Sequence, residues 1–209
     1  SIDTATITVT PSFNGCDGPS ISFQIIITPI LEVNPIPSNV YCAGEAYPGV
    51  TFTGNVLTTV YNWTNNQTSF GLPASGTGDI SGFTLVNTGT VDLIATIVVT
   101  PELSGCTALV DSFTITVKPV PTVSVVPVTQ TLCHNEPTLP VDFSGNIINA
   151  DYDWFHNNIL IGLGTPGFGD IPSFTAINTG LTDETAFFTV TPSYNGCTGE
   201  SQNFTITVK

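Results

Sequence analysis

Positive charge is almost absent from this sequence. Of 209 residues only Lys118 and Lys209 are basic, against sixteen acids, which leaves a formal net charge of −14 and a pI near 4.1. Binding nucleic acid requires clustered Lys and Arg to neutralise phosphates, so nucleic acid is excluded as a ligand. An anionic membrane surface is disfavoured for the same reason. Charge of either sign is scarce, at 9%, where soluble domains average about 25%. There is no methionine. No run approaches the ~18 consecutive apolar residues of a membrane helix, so no membrane insertion is expected. No secretory leader opens the sequence, and it reads as an internal piece of a longer exported polypeptide. Catalytic signatures are missing as well. No Cys-x-x-Cys, His-Glu-x-x-His or phosphate-binding glycine loop occurs. The two histidines, His134 and His156, lie outside any nucleophile–base pattern and read as surface loop residues. The chain is expected not to be an enzyme and to need no cofactor.

What is present is apolar and strand-like. The sequence is 41% hydrophobic with a mean hydropathy of +0.30, too apolar for disorder. Its polarity comes from Thr, Asn, Ser and Gly, which suit strand faces and turns. Ala5-Thr6-Ile7-Thr8-Val9 alternates with a period of two, the mark of a half-buried strand. Thr51-Phe52-Thr53, Val60-Tyr61-Asn62-Trp63 and Phe113–Val117 read the same way. In Asp151-Tyr152-Asp153-Trp154 the pleat sends the aromatics inward and the acids outward. Asn-Gly, Ser-Gly and Pro clusters punctuate these runs, and no sustained helical period appears.

The sequence repeats itself with a period near 91 residues. Cys42 falls on Cys133, 91 positions on, and without a gap Phe52 then falls on Phe143, Tyr61-x-Trp63 on Tyr152-x-Trp154, and Gly78-Asp79-Ile80 on Gly169-Asp170-Ile171. Gly105-Cys106 falls on Gly196-Cys197, and Phe113–Lys118 on Phe204–Lys209. The opening residues match too, at 90 positions, with Gly15-Cys16 falling on Gly105-Cys106. Residues 1–29 read as the closing hairpin of an incomplete copy, 30–120 as a complete copy and 121–209 as a second; a frame that starts at residue 1 would instead leave 182–209 as the incomplete piece. Each complete copy holds about seven short strands, the number in an immunoglobulin-like sandwich whose third strand, C, carries a buried Trp. Trp63 and Trp154 fit that place, with Phe52 and Phe143 of the second strand, B, packed on them as core. The expected fold is all-β: tandem immunoglobulin-like (PKD-like) antiparallel β-sandwiches arranged end to end, joined by a short Pro-stiffened linker at Lys118-Pro119-Val120-Pro121.

The stretches Tyr41-Cys42-Ala43-Gly44-Glu45, Tyr61–Asn66, Gly71–Ile80, Val190-Thr191-Pro192 and Asn195–Gly199 resemble the PKD-like and immunoglobulin-like repeats of giant cell-surface adhesins of Bacteroidetes, including those of gliding flavobacteria. The resemblance covers essentially the whole chain. It implies export by the type IX route to the bacterial surface, a role as stalk or spacer in attachment or gliding, and no catalytic residues. The implied partners are neighbouring repeats of the same polypeptide and a surface polysaccharide or other cell-surface protein.

Five cysteines recur with the repeat, and in an exported chain they are expected to be oxidised. Cys42 and Cys133 sit near the turn between the first two strands, A and B. Cys16, Cys106 and Cys197 sit in the turn between the last two, F and G. Those turns lie at opposite ends of a sandwich about 35–40 Å tall, whereas a disulfide spans only about 4.4–6.8 Å between Cα atoms. Stacking copies end to end would bring Cys42 to Cys197, an inter-repeat bridge. The alternative, Cys42 with Cys106 and Cys133 with Cys197, stays open if the first strand is displaced.

Calcium is the one cation for which the sequence offers ligands, at Asp79 and Asp170, with Asp92 and Asp183 also recurring. Each is a lone acid without an EF-hand-like loop, and a turn-capping role outweighs the metal reading. Aromatics at Phe13, Tyr194 and Phe168 would suit a sugar platform. A carbohydrate-binding module, with or without calcium, is therefore the alternative to a spacer.

Overall fold

A computed structural model describes residues 2–209. The leading segment forms one hairpin. Strand β1 (Asp3–Val9) pairs antiparallel with β4 (Ile21–Ile27), and the short strands β2 (Ser12–Phe13) and β3 (Cys16–Asp17) close its tip. Asn14 and Gly15 turn the chain with positive φ, 49° and 83°, a conformation that Asn and Gly adopt at least cost.

The first complete repeat carries β5 (Asn39–Cys42), β6 (Ala46–Val50), β7 (Val60–Asn65), β8 (Ser75–Thr77), β9 (Ile80–Thr84), β10 (Leu93–Leu103), β11 (Cys106–Thr107) and β12 (Asp111–Lys118). Its main sheet runs β5-β12-β10-β7-β8 with β11 on β10, and a second sheet pairs β6 with β9. The second repeat carries β13 (Ser124–Val126), β14 (Thr129–Leu132), β15 (Asp142–Ser144), β16 (Asp151–His156), β17 (Gly167–Phe168), β18 (Glu184–Tyr194), β19 (Cys197–Thr198) and β20 (Gln202–Val208). Its main sheet, β14-β20-β18-β16-β17 with β19 on β18, repeats the same order. The first strand of this sheet runs parallel to the last, Thr129 opposite Thr205 through Leu132 opposite Val208, while the remaining pairs are antiparallel. Facing it are the β13–β15 pair and the bridges Pro137–Thr175 and Val141–Ile171. Both complete repeats are immunoglobulin-like β-sandwiches.

The long strands are alternators. Along β18 the inward residues Ala186, Phe188 and Val190 are buried, and β20 meets them with Phe204, Ile206 and Val208. Burying a Val, Ile or Phe side chain contributes about 1.5–3 kcal/mol, so this stripe anchors the sandwich. Phe188 and Phe204 stack at 4.4 Å between ring centroids, and Trp154 tilts against Phe188 at 6.2 Å. Trp63 and Trp154 are each buried, and their Nε1–H groups donate to Gly78 O (3.1 Å) and Gly169 O (3.0 Å). Opposite each Trp stands a glycine, Gly76 or Gly167, whose missing Cβ leaves room for the indole ring. Phe52 and Phe143, also buried, take Tyr61 and Tyr152 as ring neighbours, at 5.8 and 5.9 Å.

Thr51–Thr53 departs from expectation: it lies in no strand, although Asn34 N–H donates to Thr53 O at 2.8 Å and Gly54 bridges Val33. The Phe52 N–H donates to Asp79 Oδ1 at 3.0 Å, and Phe143 N–H donates to Asp170 Oδ1 at 2.7 Å. The carboxylate contact is common to both copies, and Phe143 nonetheless lies in β15 opposite Val125.

By Cα proximity the chain divides into two compact units. The first comprises Ser1–Asn39, Ala46–Thr84 and Ile94–Ile115, and the second Val40–Glu45, Leu85–Leu93 and Thr116–Lys209. Compact unit and sequence repeat are therefore different divisions of the chain: Val40–Glu45 belongs to the first complete repeat in sequence and to the second unit in space.

Candidate functional site: the cysteine junction

Within the second unit, Cys42 and Cys197 form a disulfide with 5.7 Å between their Cα atoms and a sequence separation of 155. Each half is delivered by its own local structure. Cys42 is the last residue of β5, and the chain turns back immediately after it. Glu45 holds that turn, its Oε2 accepting from Cys42 N–H at 3.0 Å while its backbone N–H donates to Cys42 O at 3.2 Å. Ala43 N–H donates to Lys118 O (2.9 Å) and Gly44 N–H to Leu85 O (2.8 Å), which ties the turn to the end of β12 and to the segment after β9.

Cys197 follows the tight turn Asn195-Gly196, whose φ values are 48° and 85°. It pairs with Tyr194 across the turn and is 1% exposed. Lys118 adds a second link, its Nζ donating to Asn195 O at 2.7 Å. The chain's two cations are thus not free surface charges of equal standing: this one is spent on a turn carbonyl beside the disulfide. The other cysteines, Cys16, Cys106 and Cys133, are unpaired and exposed, so the alternative pairs Cys42–Cys106 and Cys133–Cys197 do not form.

The acids expected as metal ligands lie apart. Asp79, Asp170, Asp92 and Asp183 are exposed, and the first two are engaged by the Phe52 and Phe143 amides. Among the described residues no group of three His, Cys, Asp or Glu side chains gathers in a way that could hold a metal ion. The aromatics also separate. Phe13 and Phe168 are 78% and 81% exposed, whereas Tyr194 is half-buried. Phe168 stands across from Asp153 on the edge strand β17.

His156 corrects the reading of both histidines as surface loop residues. It ends β16 and is 4% exposed, with its ring against Phe188 at 4.6 Å and Trp154 at 6.2 Å. Its Nε2 lies 3.2 Å from Gly164 O; a carbonyl only accepts, so Nε2 carries the proton. Its repeat counterpart is Asn65, also buried, whose Nδ2 donates to Leu72 O and Gln67 O. Both side chains brace the loop after the Trp strand. His134 is exposed, and its Nδ1 accepts from Asn178 N–H at 3.0 Å.

Two asparagine pairs that recur with the repeat hold roles that the sequence does not announce. Asn55 and Asn146 clasp the entering segments: Asn55 accepts from Glu32 N–H (3.1 Å) and donates to Ile30 O (2.8 Å), and Asn146 accepts from Thr122 N–H (2.8 Å) and donates to Val120 O (3.3 Å). Asn87 and Asn178 are buried and donate to the carbonyls of Val117 (2.7 Å) and Val208 (2.9 Å), just before the two lysines. Burial indicates that Tyr61 and Tyr152 hold their phenol protons more tightly than usual, with Asp170 adding to the effect at Tyr152 and a hydrogen bond from Thr59 opposing it at Tyr61.

No family model matches the chain, and no curated protein matches it. Solved structures do. The N-terminal four Ig domains of Dscam1 isoform 6.9 match with a TM-score of 0.36 and 11% identity, over 86% of this chain and 45% of that one. Extracellular cadherin domains 1–4 of protocadherin gamma B7 match at 0.40 and 9%, over 91% and 54%. Mouse cadherin-23 EC22–24 matches at 0.36 and 11%, over 99% and 73%. The chain spans about half the length of the first two. The class to which the chain belongs, a tandem repeat of immunoglobulin-like β-sandwiches, rests on its own strand order.

Proposed function

We propose that this chain is a spacer segment of a large secreted surface adhesin, projecting a distal binding region and bearing load in attachment or gliding on a bacterial surface. Exported repeats stacked end to end, delivered by a type IX route, are the setting in which its composition makes sense: acidic, almost free of lysine, and built from sandwiches that resist extension. Its function is mechanical, with no chemistry at any residue, and its immediate partners are neighbouring repeats.

The observation that carries this reading is the Cys42–Cys197 bond. It spans 155 positions and joins residues that the sequence assigns to successive copies. A covalent tie at that separation shields the enclosed chain from extension under load. Single-molecule pulling from the two ends tests it. Reduction should release a further length of about 530 Å, the 155 bridged residues at ~3.4 Å each. Force–extension traces unchanged by reductant would overturn the load-bearing role.

A carbohydrate-binding reading has one observation in its favour, the exposed ring of Phe168 beside Asp153 and Tyr152. Reproducible glycan-array binding that is lost in Phe168→Ala would favour it over the pure spacer.

A further inference from the structure

The Cys42–Cys197 junction uses one member of each of two recurring cysteine positions. Further members of both stand ready and unused. We propose that the Cys133 turn, with Lys209, is a socket for the Asn14-Gly15-Cys16 turn of a second copy of this chain, closed by a Cys133–Cys16 disulfide. The proposal deepens the spacer reading and rests on it: copies would join through the same device that operates inside one chain.

The socket is a duplicate of the occupied one, bond for bond. Cys133 N–H donates to Glu136 Oε2 at 2.7 Å, as Cys42 does to Glu45 at 3.0 Å. Glu136 N–H donates to Cys133 O at 3.2 Å, the distance of the Glu45–Cys42 bond. Asn135, at φ 68°, donates to Ala176 O at 2.8 Å, and Gly44, at φ 89°, donates to Leu85 O at 2.8 Å. His134 N–H donates to Lys209 O as Ala43 N–H does to Lys118 O. Lys209 therefore stands beside Cys133 where Lys118 stands beside Cys42. Lys118 spends its ammonium on the Asn195 carbonyl. Cys133 itself is exposed and unpaired.

The incoming turn is also a duplicate. Thr10-Pro11-Ser12-Phe13-Asn14-Gly15-Cys16 differs from Thr191-Pro192-Ser193-Tyr194-Asn195-Gly196-Cys197 at one position, Phe13 for Tyr194. The turn dihedrals agree, with φ 49° and 83° at Asn14 and Gly15 against 48° and 85° at Asn195 and Gly196. Phe13 faces Cys16 in the register in which Tyr194 faces Cys197. Cys106 follows a similar turn, but it shares a groove with the connecting residues Thr28–Leu31, and its turn has Ser104 in place of Asn. Cys16 is the better match, and it is exposed and unpaired.

The bond forms by two exchanges. The Cys133 thiolate attacks a small-molecule disulfide of the exterior and releases one thiol. The Cys16 thiolate of the second copy then attacks Cys133 Sγ and releases the other. One S–S bond breaks, one forms, and the two electrons and two protons leave on the released thiols. Both copies are strongly acidic, so encounter needs salt near 0.15 M to screen their repulsion.

The test uses the 209-residue chain incubated with oxidised glutathione, followed by non-reducing electrophoresis and peptide mass mapping. A ladder of covalent oligomers linked through Cys133–Cys16 is expected. Cys133→Ser and Cys16→Ser should each abolish the ladder and leave Cys42–Cys197 intact. Lys209→Gln should slow linking about tenfold, the worth of one charge-assisted hydrogen bond, without changing alkylation of Cys133 by iodoacetamide. Absence of a ladder, or Cys133–Cys133 and Cys16–Cys16 links as abundant as Cys133–Cys16, overturns the socket. If the monomer still contains Cys42–Cys197, the spacer reading survives that failure. If Cys42–Cys197 is absent too, both readings fall.

Discussion

The leading hairpin β1/β4 and its counterpart β18/β20 have the same register and opposite burial. Ala5, Ile7 and Val9 pair with Ile25, Phe23 and Ile21, as Ala186, Phe188 and Val190 pair with Ile206, Phe204 and Gln202. The cross-strand side-chain bonds match as well: Thr8–Ser22 and Thr10–Ser20 in one, Thr189–Asn203 and Thr191–Ser201 in the other. Yet Phe23 is 52% exposed, and its counterpart Phe204 is 3% exposed. The difference separates two kinds of information. Turn chemistry, alternation and Thr pairing fix a hairpin locally. Burial comes from a facing layer, which the complete repeat supplies through residues such as Phe143, Ile161 and Ile171.

Truncating the same position in both hairpins should give the largest difference between them. Phe188→Ala, in the buried stripe, should destabilise the second unit by about 3–5 kcal/mol. Ile7→Ala, at the corresponding place in the hairpin and 39% exposed, should cost less than about 1 kcal/mol. Urea denaturation of the two variants checks this, and equal losses would mean that the hairpin is covered in solution. Next in size is Gly167→Ala. Its Cβ would run into the Trp154 ring, and overpacking of this kind costs about 1–3 kcal/mol. Gly15→Ala meets no atom within 4 Å and bears only the backbone cost of φ 83°, about 1 kcal/mol. Asp170→Ala comes third. It removes the acceptor of the Phe143 amide and should cost about 1–2 kcal/mol. Asp170 lies within a complete repeat, so the melting of hairpin 1–29 should not change. Calcium up to millimolar levels should leave the wild-type melting temperature where it is, since the carboxylate acts as a backbone cap.

The hairpin shows why part of this molecule was legible in the sequence. Its features are short-range: strict alternation, Asn-Gly, and a Thr-Pro start. The same holds for the Trp strands, where Tyr152 and Trp154 alternate with acids. Features that depend on distant partners were not legible. Thr51–Thr53 alternates like a strand, but its backbone meets Asn34, through the bond to Thr53 O, and at Phe52 the carboxylate of Asp79, 27 positions away. His156 looked like a loop residue because its partner carbonyl, Gly164, lies in an irregular segment and its ring neighbours come from strands β16 and β18. The clue was its alignment with Asn65, which shows that the site is polar and leaves its burial undetermined. The clasp residues Asn55 and Asn146 recur in the sequence, but nothing near them announces that they hold segments 23 to 26 positions away. The cysteines are the exception: the two classes of turn and the height of a sandwich already pointed to Cys42 with Cys197, and that pair forms.

The smallest effect bears on the same contrast through pH. Burial raises the phenol pKa of Tyr152 above its ordinary value near 10, and the neighbouring Asp170 carboxylate raises it further. Tyr61 is raised by burial and partly relieved by its hydrogen bond with Thr59. In both cases the folded state favours the neutral phenol. Their contribution to stability is complete below pH 10, where phenols are neutral folded or unfolded. It declines as pH rises above 10, because the unfolded chain ionises first. The complete repeats should therefore lose stability above pH 10, whereas residues 1–29 contain no tyrosine and lack this source of pH dependence. Asp170→Asn should reduce the alkaline slope by removing the like charge while keeping a side-chain oxygen for the Phe143 amide, and Tyr152→Phe should remove that tyrosine's part altogether. Denaturation midpoints between pH 8 and 11 measure both. A slope unchanged by Tyr152→Phe would show that its hydroxyl already reaches water in the folded state, which would place the edge of the buried layer inside Tyr152.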